Sequence, residues 1–139
     1  MQKNIMKRII FLALISLISF TSFSQVNYNQ KITAKYAEIS EIDYLKDEYI
    51  ITNSGWETVI IEPYETHYIY YYEGEKRKVW WEYLNYDDDL EGDLYYTEDG
   101  REVIFCYDEQ RILFYSKYNE RTDTYEQLIE LSRLEVEDK

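Results

Sequence analysis

Apolar and polar residues alternate with a period of two along most of this chain, and the stretch His67 to Tyr72 shows the rule most plainly. His67, Ile69 and Tyr71 fall on one parity and Tyr68, Tyr70 and Tyr72 on the other, so a strand here carries rings on both faces. Tyrosine and isoleucine suit a pleated surface, whereas a helix would crowd them. Glu73-Gly74-Glu75-Lys76 then supplies a turn, and Val79 to Leu84 resumes as the returning strand of a hairpin.

The same grammar extends in both directions. Lys35 to Tyr44 reads as a strand whose alternation slips near Ser40, as an inserted residue would cause. Tyr49 to Thr52 and Trp56 to Ile61 read as two short strands about a turn at Asn53-Ser54-Gly55, and Pro63 ends the second. After an acidic loop from Asp87 to Asp93, Leu94 to Thr97, Arg101 to Tyr107 and Arg111 to Tyr118 form a meander. Thr122-Asp123-Thr124 then precedes Leu128, Leu131 and Leu134, which recur every third residue; this spacing and the helix propensity of Glu, Gln, Leu and Arg predict a short helix from Tyr125 to Leu134. A last strand, with Gln127, Ile129 and Leu131 on one face, is the competing assignment.

About eight strands at regular spacing mark an antiparallel sandwich or barrel. The expected fold is mainly β: a small antiparallel meander forming a curved sheet, closed or nearly closed into a barrel similar to the lipocalin-like ones in architecture, with a short C-terminal helix. The lipocalin Gly-x-Trp is not matched by Ser54-Gly55-Trp56, so the analogy extends to architecture alone. The expected core residues are Ile39, Ile51, Val59, Ile61, Ile69, Leu84, Val103, Phe105, Ile112 and Phe114.

The first residues change the picture of charge and place. Lys3, Lys7 and Arg8, the apolar run Ile9 to Phe20 and then Thr21-Ser22-Phe23-Ser24 follow the order of a secretory signal peptide over residues 1–24. The apolar run is shorter than the ~20 residues that span a bilayer, so cleavage after Ser24 and a periplasmic or secreted product without a membrane anchor are expected. Residues 25–34 read as an N-terminal linker or edge strand and 35–139 as one β-rich domain. The leader holds 3 of the 15 basic residues and none of the 28 acids, leaving 12 against 28, a net charge of −16. Such a surface repels phosphate backbones and anionic lipid, which argues against nucleic acid and membrane partners and leaves open a basic protein. With a single cysteine, Cys106, no internal disulfide forms, and core burial must hold the fold.

Candidate chemistry is sparse. His67 is the only histidine, and no nucleophile motif, phosphate loop or CxxC accompanies it. Asp87-Asp88-Asp89-Leu90-Glu91-Gly92-Asp93-Leu94 and Glu98 partly resemble the calcium loop of EF-hand proteins, with acids at positions 1, 3, 5 and 12 and Gly92 at 6. The resemblance implies Asp87, Asp89, Glu91, Asp93 and Glu98 as calcium ligands; Glu91 stands where a shorter Asp or Asn belongs, and a solvated acidic hairpin loop is the plain alternative. No other cofactor is expected. The surplus of rings is the most specific hint, since tyrosine and tryptophan combine an apolar body with a polar handle. Tyr68, Tyr70, Tyr72, Trp80, Trp81 and Tyr83 are the expected ligand-binding residues, on a sheet face or in a cavity, although burial in the core explains such rings equally well. The expected function is non-catalytic binding of a small ligand, glycan or protein; an acidic inhibitor or immunity-type protein covering a basic partner and a carboxylate-based glycan hydrolase are the alternatives.

Overall fold

The structure, a computed structural model, describes residues 26–139; the expected leader lies outside them. Eight antiparallel strands follow one another: β1 (Gln30–Asp43), β2 (Glu48–Pro63), β3 (His67–Tyr72), β4 (Glu75–Asp87), β5 (Gly92–Thr97), β6 (Glu102–Cys106), β7 (Arg111–Asn119) and β8 (Thr124–Asp138). Each pairs with its neighbours in sequence, and β8 returns to β1 to close the barrel. The antiparallel eight-stranded meander is therefore as expected from the alternation.

Two sequence assignments are corrected. The segment 125–134 is not a helix but part of β8, paired with β7 on one side and β1 on the other. Its three-residue leucine spacing has another origin. Leu128 packs on the outside of the sheet with Leu113 and Ile104, Leu131 packs inside, and the faces exchange at Arg133, which adopts a left-handed backbone (φ 56), so that Leu134 also meets the inner core. The turn expected at Asn53-Ser54-Gly55 is likewise absent, because these residues run straight through β2 opposite Ile39, Glu38 and Ala37. Residues 30–34, within the stretch read as linker or edge strand, belong to β1. The slip near Ser40 is real: β1–β2 pairing shifts between Ile39 and Ser40.

The β3–β4 hairpin turns on Glu73 (φ 51) and Gly74 (φ 79), the positive-φ pair that a two-residue turn between twisted strands requires. This turn and the β1–β2, β5–β6 and β7–β8 turns gather at one end of the barrel, here called the mouth. The β2–β3, β4–β5 and β6–β7 turns lie at the other end, the floor, with residues 26–29 and Lys139. Lys139 fastens that end: its backbone N–H donates to Asn29 O at 2.9 Å, and its ammonium donates to Tyr28 O at 2.7 Å and Pro63 O at 2.6 Å.

An eight-stranded barrel is just wide enough to be filled by side chains or to hold one small ligand. Here the two halves differ. The floor half is solid: Trp81 stacks on Tyr95 with ring centroids 4.0 Å apart, Phe105 meets both edge-on, and the Trp81 indole N–H donates to Tyr64 O at 2.9 Å. Of the expected core, Ile61, Val103, Phe105, Ile112 and Phe114 are buried, whereas Ile51 and Leu84 are exposed. On β3 the rings of Tyr68, Tyr70 and Tyr72 turn inward, and Ile69 lies on the opposite face.

Candidate functional site

The mouth half of the barrel holds a cavity of about 300 Å³. Its cause is a mismatch of side-chain size across the interior. Ala37 of β1 and Gly55 of β2 face each other in the register and contribute almost no volume, while an added Cβ on Gly55 would meet no atom within 4 Å. Tyr68 and Tyr70 of β3 and Phe114 of β7 supply the rings of the lining, and Val59, Ile61, Ile129 and Leu131 complete its apolar part. That lining grades from buried Ile61, Tyr68 and Leu131 to exposed Asn53 and Ser54, so the cavity opens toward the mouth.

Two charged side chains interrupt the apolar wall, Glu57 of β2 and Arg101 at the start of β6. The Tyr72 hydroxyl donates to Glu57 Oε1 at 2.9 Å, which holds the Tyr72 phenol above its ordinary range. Arg101 Nε lies 3.7 Å from Asp99 Oδ2, and the other Asp99 oxygen accepts the Thr97 hydroxyl.

The six aromatic residues picked out by the alternation divide among three environments. Tyr68, Tyr70 and Tyr72 line the cavity. Trp81 is buried in the solid half against Tyr95, and Tyr83, also in that half, donates to Asp93 Oδ1 at 3.1 Å. Trp80 points outward beneath the Lys78 ammonium, 4.2 Å from its ring centroid, and meets His67 edge-on. His67 in turn stacks on Tyr64; burial, together with the charges of Lys78 and Lys139, lowers its pKa.

The five acids that resemble a calcium loop are not brought together. Asp87 accepts the Leu90 N–H in the floor turn, while Glu98 sits at the far end of β5, where its carboxylate accepts the Trp80 N–H at 2.7 Å. Glu91 lies beside Asp108, whose carboxyl raises its pKa. Asp93 faces inward with no exposed surface, accepting hydrogen bonds from Tyr83 and Tyr107; burial raises its pKa against the pull of both hydroxyls. The cause of the scatter is β5 itself: an EF-hand loop needs these positions curled around an ion, and Gly92 to Thr97 are extended and paired on both sides. Among the described residues no group of three or more His, Cys, Asp or Glu converges as a metal site.

Sequence reasoning missed Ala37, Gly55, Glu57 and Arg101. A signal was present for Arg101, which shares parity with Val103 and Phe105, so a charge stands in phase with the core. No comparable signal marks Gly55, whose dipeptide with Ser54 reads as a turn.

The fold and the cavity define a class in structural terms: a closed antiparallel eight-stranded barrel, solid at one end and hollow at the other. Comparisons with family models, with curated proteins and with solved structures give no match for this chain.

Proposed function

We propose that this is an exported, non-catalytic binding protein that holds a small, mainly apolar ligand inside the barrel rather than on the outer sheet face. The observation that carries this reading is the 300 Å³ cavity, open at one end and walled by tyrosine, phenylalanine and aliphatic side chains. Ligand sites are typically concave and apolar with a few polar groups that fix orientation, and Glu57, Tyr72 and Arg101 stand in that relation to the wall. At roughly 30 Å³ per heavy atom, the share of a water molecule in its liquid, the space suits a ligand of about ten heavy atoms.

Titration with 1-octanol followed by side-chain NMR tests the site. Shifts concentrated at Tyr68, Tyr70, Phe114 and Leu131 are expected. Shifts clustered instead around Trp80 and His67 would move binding to the outer face and overturn the cavity reading.

A further inference from the structure

We infer that the ligand is an amphiphile with a carboxylate head, seated with that head on Arg101 and its apolar tail among Val59, Ile61, Ile129 and Leu131. The inference rests on the reading of the barrel as a small-ligand carrier and adds to it the chemistry of the head group.

The two charges in the wall differ in how well the protein itself satisfies them. Glu57 already accepts a hydrogen bond from the Tyr72 hydroxyl at 2.9 Å. Arg101 is served less well. A guanidinium presents five N–H donors, and among the described residues this one has a single ion pair, with Asp99 at 3.7 Å, beyond good hydrogen-bond range. Asp99 cannot close in freely, because its other oxygen is engaged by the Thr97 hydroxyl. Arg101 therefore brings to the cavity wall guanidinium donors that no protein acceptor holds within hydrogen-bond range, whereas Glu57 already has a hydroxyl donor on one oxygen. A carboxylate is the group that a planar guanidinium grips with two parallel bonds.

The position of Arg101 fixes the orientation. It is the first inward-facing residue after the β5–β6 turn, at the mouth, while the buried aliphatic wall lies deeper. A chain entering tail first thus places its head at the rim, where partial hydration lowers the cost of carrying a charge into the barrel. A purely hydrocarbon ligand would make no use of either charge.

Isothermal titration of wild type and the Arg101→Gln and Arg101→Lys variants with octanoate, 1-octanol and octylammonium tests this. Octanoate is expected to bind wild type at least ~10-fold more tightly than 1-octanol, the margin of a charge-assisted hydrogen-bonded pair. Arg101→Gln should bring octanoate down to the level of 1-octanol, and Arg101→Lys should keep part of the preference. Equal binding of octanoate and 1-octanol to wild type, or a preference that survives Arg101→Gln, overturns the head-group assignment and leaves the carrier reading intact. Tighter binding of octylammonium than of octanoate also overturns it and puts the head at Glu57. If none of the three binds, the carrier reading itself fails.

Discussion

Replacing Gly55 with leucine should stabilise the barrel and weaken its ligand binding at once. Gly55 lies in mid-strand opposite Ala37, and a Cβ built on it meets nothing within 4 Å. Removing a glycine from a strand interior gains about 0.5–1 kcal/mol by restricting the unfolded chain. Fully burying a leucine adds about 1.5–3 kcal/mol; the site is half-buried, so about 1 kcal/mol is the appropriate share. The total is about 1.5–2 kcal/mol. Four added carbons at roughly 30 Å³ each would fill roughly two fifths of the cavity. Urea unfolding followed by tryptophan fluorescence, with Trp81 as the buried reporter, should show a midpoint raised by on the order of 1 M. The affinity for 1-octanol should fall in parallel. A midpoint that drops, or one that rises with octanol binding unaltered, would show that the space beside Gly55 is not the ligand site.

Three further outcomes follow from the packing. Gly92→Ala places a methyl 2.2 Å from the Phe105 carbonyl oxygen and 2.7 Å from its carbon, both backbone atoms, so a thermal melt should show a loss of about 2–4 kcal/mol or failure to fold. Asp93→Asn tests the buried carboxylate. Because burial raises its pKa in the folded state, the folded protein holds the proton more tightly than the unfolded chain; this group favours folding where protonated and opposes it as pH rises through the folded value. The variant should therefore melt higher than wild type at pH 8, with the advantage shrinking as pH falls into the carboxylate range; an advantage independent of pH would contradict the assignment. Calorimetry with Ca²⁺ on wild type and Asp89→Asn should give equal heats, since Asp89 and Glu98 lie at opposite ends of β5.

The strand count was legible for a partly accidental reason. Alternation identifies β3, β4 and the β5–β7 meander, but the local pattern divides β2 in two at Asn53-Ser54-Gly55 and gives β8 a helical spacing, so the count of eight agrees while two of its members differ. Both differences have a physical basis. Asn-Ser-Gly favours a turn locally, yet β1 supplies partners for all three residues, and the long-range ladder prevails over local preference. Leucines every third residue mimic a helical stripe when one faces out, the next faces in and the strand then exchanges faces, as it does at Arg133. For the site, parity showed that β3 carries tyrosines on one face but not which face turns inward. The aliphatic Ile69 was the natural choice for the interior, and the tyrosines occupy it instead. The cavity was hidden for a simpler reason: it is made by what Ala37 and Gly55 lack, and absent volume leaves no periodic mark.

The closure between β1 and β8 has a consequence for how the chain acquires its structure. Seven of the eight pairings join strands adjacent in sequence and can form as hairpins, whereas the eighth brings Gln30 against Asp138. Its loop-closure entropy must be met before its contacts give any return, which places that seam late in folding. Amide protection in pulse-labelled refolding should thus arise across the successive hairpins before it arises between β1 and β8. Until then both strands are open edges, and the time the seam takes to shut sets how long the chain is exposed to pairing with another copy.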